Sequence, residues 1–288
     1  MPELPEVETV RRGLSQLIIG KKITFVSADN EKSFPNNATE VNEFLIDATI
    51  TDIRRRAKVL LIDLSSDYTL VVHLKMTGQL VFRGEQVFGA GHPNDSLIGE
   101  LPDKSTRVTI NFDDESRLFF NDQRKFGWMK LLPTLEVPNI DFMKKVGPEP
   151  LEIDFTKEQF TERFKRRAKT SIKAALLDQT VVAGVGNIYA DESLWGAKID
   201  PRRKVAEVSE QEFYALYDSL RAVMNEAIDK GGSTDRNYVN AEGKRGSYMD
   251  FAKVFRREGL ICERCGGIII KIKHAGRGTH ICESCQIL

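Results

Sequence analysis

Cys262-Glu263-Arg264-Cys265 and Cys282-Glu283-Ser284-Cys285, separated by sixteen residues, hold all four cysteines of the 288-residue chain. Two Cys-x2-Cys turns at this spacing each present a pair of thiolates, as a tetrahedral four-sulfur zinc site requires. The stretch between them reads as a hairpin: Ile268 to Lys273 is β-rich, His274-Ala275-Gly276-Arg277-Gly278 is a turn, and Thr279 to Cys282 returns. A pair of disulfides or four free thiols is the competing reading, which a reducing compartment and the absence of other cysteines disfavour. His274 and His280 are spare ligands, but Cys262, Cys265, Cys282 and Cys285 already complete a closed site. The expected cofactor is therefore one structural Zn2+ with no open position for substrate.

Upstream of the cysteines the pattern is helical. Thr156 with Gln159 and Ser209 with Glu212 form capping boxes, the second followed by Phe213, Leu216, Tyr217, Leu220 and Met224 at core-facing spacing. Between these helices, Leu176 to Tyr189 reads as a helix end, a glycine-rich turn and a new helix capped by Asn187 and running to about Ala197. Gly184-x-Gly186 follows a helix and lacks a third glycine, so it is no dinucleotide fingerprint. Amides at a helix N-terminus suit a phosphate instead. Four of the ten prolines fall in residues 133–150, which marks a linker. Before it, short strand-like runs follow one another without helices: Ile23 to Val26, Lys58 to Leu64, Thr69 to Leu74, Gln79 to Phe82, Arg107 to Phe112 and Arg117 to Phe120. These predict an antiparallel sandwich or barrel. The expected fold is α+β, with a β-sandwich domain at 1–132, a linker at 133–150, a helical domain at 151–255 and a zinc hairpin at 256–288.

Lys and Arg number 42, and so do Asp and Glu, yet the charge is unevenly spread. Residues 29–52 carry six acids against Lys32, whereas residues 163–173 carry six basic side chains and no acid. Residues 236–277 hold ten basic side chains against four acidic ones. A neutral chain patterned this way can turn a positive face toward a polyanion, although such runs also serve as solvated helix faces. No apolar run approaches the roughly 20 residues of a membrane span. The acidic opening Met1-Pro2-Glu3-Leu4-Pro5-Glu6 is no secretory signal, so a cytoplasmic location is expected.

That opening has its own chemistry. Pro5 suits a first helical turn, Val7, Val10, Leu14 and Leu17 form one apolar stripe, and Gly20 ends the helix. If Met1 is removed, Pro2 becomes a secondary amine of reference pKa near 8, with a usable neutral fraction at pH 7. Such an amine attacks a sugar C1′ or an aldehyde to give an iminium. Glu3 and Glu6, one turn apart, then stand ready to transfer protons.

The run from Pro2 to Leu14 resembles the opening of the formamidopyrimidine-DNA glycosylases, bacterial enzymes that repair oxidised purines. The resemblance continues through His73-Leu74-Lys75-Met76-Thr77-Gly78, Asp122-Gln123-Arg124-Lys125-Phe126-Gly127, Leu177-Asp178-Gln179, Asn187-Ile188-Tyr189, Gly231-Gly232-Ser233-Thr234 and Arg277-Gly278-Thr279. It covers essentially the whole chain, with the motifs in family order. It implies a helix-two-turn-helix in the helical domain and a monomeric bifunctional glycosylase and abasic-site lyase acting on damaged double-stranded DNA. It also implies roles: Pro2 as nucleophile, Glu3 as the acid that opens the deoxyribose, Lys58 as proton donor in β-elimination and Arg277 in δ-elimination. Met76, Arg124 and Phe126 would fill the gap left by an extruded nucleotide. His73, Lys169, Lys173, Asn187 and Tyr238 would contact DNA, and the segment from Ser233 to about Met249 would cap the extruded base. The endonuclease VIII-like enzymes, which prefer oxidised pyrimidines, share this architecture; Leu4-Pro5-Glu6-Val7-Glu8 favours the purine group. A non-catalytic zinc-hairpin DNA-binding protein is the reading from another class. The chain departs from the pattern at Lys75, where glycine is usual, at Ser105, where many members carry a DNA-touching histidine, and at Gln123, where proline is usual.

Overall fold

The computed structural model describes residues 2–92, 94–232 and 248–288. They divide into two compact units, Met1–Lys144 with Lys230–Ser247, and Lys145–Asp229 with Tyr248–Leu288. Tyr238 and most of the expected capping segment lie outside the described residues. Among the described residues no helix is long and apolar enough to cross a membrane.

The first unit opens with helix α1 (Leu4–Leu17) and continues through β1 (Ile23–Ala28), a short helix α2 (Ala38–Phe44), β2 (Ile50–Arg56), β3 (Val59–Leu64), β4 (Tyr68–His73), β5 (Gly78–Arg83), β6 (Val87–Gly91), β7 (Thr106–Phe112), β8 (Arg117–Asp122) and β9 (Trp128–Pro133). The strands pair antiparallel throughout, in a five-stranded sheet ordered β1-β7-β8-β5-β6 and a four-stranded sheet ordered β2-β3-β4-β9. The alternation of the sequence explains why the sheets stack. Leu60, Ile62, Leu70 and Val72 point into one cluster with Leu80, Phe82, Val108, Ile110 and Phe120 of the other sheet. The intervening Val59, Leu61 and Val71 face the opposite way, onto Val137 and Trp128. Each such side chain removed from water contributes roughly 1.5–3 kcal/mol before entropy is counted.

The stripe Val7, Val10, Leu14 and Leu17 of α1 enters the same central cluster. Gly13 allows the close approach: a Cβ there would lie 2.2 Å from the Phe88 ring on β6. Burial along this stripe fixes the first turn, and with it residues 2–4, in place.

Helix α3 (Asp141–Lys145) lies at the division between the units. The second unit holds α4 (Lys157–Lys165), α5 (Ile172–Leu177), α6 (Asn187–Gly196), α7 (Glu210–Asp229) and the hairpin β10 (Ile269–His274) with β11 (Arg277–Cys282). The Thr156–Gln159 capping box starts α4, and Phe160 and Phe164 pack against Tyr217 and Phe213 of α7. Gln179 shapes the connection from α5 to α6. Its side-chain amide donates to the Val185 carbonyl at 2.8 Å and accepts from the Gly184 N–H at 3.0 Å. A single side chain thus closes the second of two turns.

Candidate active site and nucleic-acid interface

In the first unit, α1 carries the terminal group of residues. Pro2, Glu3 and Glu6 are all buried. The Glu3 N–H donates to Glu6 Oε2 at 2.7 Å, so the Glu6 carboxylate is held against the peptide that leads back to Pro2. Gly232 closes on Glu6 from the other side, where a Cβ would stand 3.2 Å from Oε1.

Lys58 is buried at the start of β3, just past Ala57, whose φ of 52° makes the tight turn out of β2. Arg55 ties this turn to α1. It donates from Nε to Glu8 Oε2 at 3.1 Å and from Nη1 to the Ala57 carbonyl at 3.0 Å. Burial by itself would raise the Glu8 carboxyl; hydrogen bonding and charge from Arg11 and Arg55 outweigh it and hold Glu8 below the usual carboxylate range. The helix bearing Pro2 and the turn bearing Lys58 are therefore joined by a charged staple.

His73 pairs in register with Val59 across β3 and β4. It is enclosed against Trp128 and Phe142, and its Nδ1 accepts the Lys75 N–H at 3.1 Å. Burial, then the positive charges of Lys75 and Lys58, push the imidazole down to about 3. At neutral pH it is an uncharged hydrogen-bonding group. The departure at Lys75 has a backbone cost: its φ is 49°, in the left-handed region where glycine is at ease.

Met76 is half-buried on the β4–β5 turn, whereas Arg124 and Phe126 project from the β8–β9 loop with the guanidinium 4.9 Å from the ring centre. Phe126 is 54% exposed, unusual for a large aromatic with a core nearby. Gln123 is exposed on the same loop. Ser105 is buried: its hydroxyl donates to Asp103 Oδ1 at 2.6 Å and lies 3.0 Å from the Ser96 hydroxyl. It holds its own loop and offers nothing to a ligand.

The second unit brings together α5, α6 and the hairpin. Asn187 is the first residue of α6 and Gly186 precedes it as the cap, so Asn187 does not cap the helix as its sequence suggests. Its side-chain amide donates instead to the Gly278 carbonyl at 2.9 Å. Lys173, expected at the DNA, is fully enclosed. Its Nζ meets Asp191 Oδ1 at 2.6 Å and Thr279 Oγ1 at 2.7 Å. A lysine extended from α5 reaches inward here because α6 supplies a buried counter-charge. Lys169, in the loop before α5, is exposed, and so is Arg277, the first residue after the Ala275-Gly276 turn. Both turn residues have positive φ (49° and 69°), the two-residue geometry that suits a twisted ribbon and that Gly276 adopts without strain.

The four cysteine sulfurs lie within 4.8 Å of one another. A tetrahedral zinc with bonds near 2.3 Å would space them about 3.8 Å apart. Cys262 and Cys285 are 3.9 Å apart and Cys265 and Cys282 3.4 Å, so the donors fit a single Zn2+. The Trp195 indole N–H donates to Cys262 Sγ at 3.4 Å, and Arg264, stacked on Trp195, donates to Cys285 Sγ at 3.7 Å. Sequence reading passed over Asp191, Glu192 and Trp195. The available signal was two adjacent acids and an aromatic on one short helix, facing a basic segment. Glu192 accepts the consecutive N–H groups of Lys253, Val254 and Phe255 at 2.8, 2.9 and 2.8 Å.

Comparison with known proteins matches the chain in three successive segments. The family model of the formamidopyrimidine-DNA glycosylase N-terminal domain matches residues 1–129. The formamidopyrimidine-DNA glycosylase H2TH domain matches residues 146–238, and a zinc finger found in FPG and IleRS matches residues 259–287. Proteins named formamidopyrimidine-DNA glycosylase from Pelotomaculum thermopropionicum and Pediococcus pentosaceus are 41% and 42% identical, over 99% and 100% of both chains respectively. Among solved structures, a Lactococcus lactis FPG mutant in complex with Fapy-dG containing DNA superposes with a TM-score of 0.87 at 37% identity, covering 100% of both chains. A second Lactococcus lactis Fpg, with an abasic site containing DNA, gives the same TM-score and identity over 99% of this chain and 100% of its own. With three domain models in order and relatives matched end to end, the chain belongs to the formamidopyrimidine-DNA glycosylase family.

Proposed function

We propose that this protein excises oxidised purines, 8-oxoguanine and formamidopyrimidines among them, from duplex DNA and then nicks the abasic site. The observation that carries the reading is the packing of α1, which buries Pro2 and Glu3 in a fixed turn stapled to the turn of Lys58. Removal of Met1 frees the Pro2 nitrogen. Burial favours the uncharged form of an amine, which is the nucleophile. Its lone pair forms a bond to C1′ as the C1′–N bond to the base breaks, with Glu3 protonating the ring oxygen so that the sugar opens to an iminium. Lys58 assists loss of the 3′ phosphate in β-elimination, and Arg277 that of the 5′ phosphate in δ-elimination. Glu6, one turn from Glu3, serves proton transfer, and water releases the enzyme from the sugar remnant.

Met76, Arg124 and Phe126 fill the vacated stack. The neutral His73, exposed Lys169, and Asn187 with the neighbouring amides of α6 hold the backbone; Lys173 acts from within by bracing the hairpin. Tyr238 is retained as a DNA contact on family grounds. Zinc supplies rigidity to the ribbon that carries Arg277, a mount that two strands alone would not stiffen. In this reading residues 1–132 form the catalytic domain, 133–150 a linker, 151–255 the DNA-binding helical domain and 256–288 the zinc hairpin. The protein works as a cytoplasmic monomer at the nucleoid.

Borohydride trapping on a duplex containing 8-oxoguanine tests this. The wild type should become covalently joined through Pro2, an N-terminally extended form should not, and Pro2→Gly should trap less. Equal trapping by all three, or an adduct mapped to a lysine, would overturn the mechanism; preferential trapping on oxidised pyrimidines would overturn the substrate.

A further inference from the structure

Three side chains from two separate loops must act together if they are to occupy one gap in a base stack. Met76 lies on the β4–β5 turn, and Arg124 and Phe126 on the β8–β9 loop. Both loops are short and carry a non-glycine residue at positive φ, Lys75 at 49° and Lys125 at 56°. Neither conformation persists without something to hold it.

The Lys75 turn is held in part by its own N–H on His73 Nδ1; the group common to both loops is Asp122, fully buried at the end of β8. Its Oδ2 accepts the N–H groups of Phe126 at 2.8 Å and Gly127 at 2.6 Å, and its Oδ1 accepts the Arg124 N–H at 3.1 Å. Oδ1 also accepts the hydroxyl of Thr77, the residue after Met76. Thr77 in turn accepts from the Arg124 N–H at 3.1 Å, so the hydroxyl links both loops. Asp122 is itself fixed by its backbone: the N–H donates to the Ser105 carbonyl at 2.8 Å, and the carbonyl accepts from Arg107 Nε at 2.8 Å. Ser105 thus serves the site through its backbone. One carboxylate gathers four donors that arise from the two loops bearing the wedge.

We propose that Thr77 and Asp122 are positioning residues that clasp the two loops into one preformed wedge, so that the gap-filling side chains need no ordering when the nucleotide leaves the stack. The proposal rests on the glycosylase reading. A loose wedge would have to be ordered at the moment of extrusion, and a displacement of about 1 Å in such a constellation can cost on the order of a hundredfold in rate.

The test compares Thr77→Val, Thr77→Ser and Asp122→Asn with the wild type. Amide hydrogen exchange of the free protein should quicken at Arg124, Phe126 and Gly127 in Thr77→Val and Asp122→Asn, and return to the wild-type rate in Thr77→Ser. The single-turnover rate constant for excision of 8-oxoguanine from duplex should fall at least about tenfold in the first two variants, with duplex affinity nearly unchanged. Borohydride trapping on a single-stranded oligonucleotide with a preformed abasic site, where no stack has to be filled, should stay near wild type. Unchanged exchange, unchanged duplex excision, or equal losses on both substrates would overturn the clasp. The exchange measurement needs no DNA, so its failure strikes the clasp alone, whereas a wild type that never traps on lesion duplex strikes the functional reading.

Discussion

Lys173 and Asp191 form an ion pair in which neither side chain retains any solvent exposure, with Nζ 2.6 Å from Oδ1. The pair joins α5 to α6 and, through Thr279 and the His280 N–H on Asp191 Oδ2 at 2.9 Å, to the hairpin. Its arrangement explains why Lys173, at the end of a strongly basic run, is absent from the surface.

Removing one partner should therefore be costly. Lys173→Met leaves a buried carboxylate without its counter-charge, and a loss of about 3–5 kcal/mol is expected. Guanidinium unfolding should show it, together with weaker DNA binding. Converting both positions to apolar residues should recover only part of the stability, because the buried Thr279 hydroxyl and His280 N–H then lose their partners.

The metal prediction follows from the sulfur spacing. Cys265→Ser or exhaustive chelation should abolish the one-zinc stoichiometry in metal analysis. Duplex affinity measured by fluorescence anisotropy should fall at least about tenfold, because zinc binding supplies folding free energy to a ribbon this short.

Lys75→Gly should stabilise the protein by about 1 kcal/mol, since glycine adopts positive φ without the side-chain clash. It also deletes one of the charges that depress His73, so the imidazole pKa followed by NMR should rise toward its ordinary value.

His73 itself makes stability depend on pH. The folded imidazole stays neutral to about pH 3, whereas the unfolded one titrates near 6.5. Unfolding therefore takes up a proton anywhere between, and this contribution is intact above pH 6.5 and lost as the pH falls through that window, at about 1.4 kcal/mol per pH unit. Urea unfolding at pH 7 and pH 5 should show a flatter dependence in His73→Gln.

Much of this was legible in the sequence where local chemistry rules. The cysteine spacing, the Thr156 box and the apolar stripe of α1 each act within a few residues, and each holds in the structure. Strands β2, β6 and β9 escaped notice for identifiable reasons. β2 carries Asp52 and Arg54-Arg55-Arg56, β6 contains Gly89 and Gly91, and β9 runs into Pro133. Their pairing is imposed by neighbours rather than by propensity. The same holds for Lys173 and Asn187. Both are the right residue types for phosphate, but their partners, Asp191 and Gly278, come from 18 and 91 positions away. No window of sequence encloses such pairs.

Helix α6 is sewn to residues 253–288 along its length: Asn187, Asp191 and Trp195 reach the hairpin segment, and Glu192 the backbone of Lys253, Val254 and Phe255 just before it. A chimera that imported residues 253–288 from a distant relative while keeping the host helix would inherit mismatched seams at every stitch. Recombination in this lineage should accordingly move the ribbon and its helix as one inherited block, and library designs that shuffle them separately should yield mostly insoluble progeny.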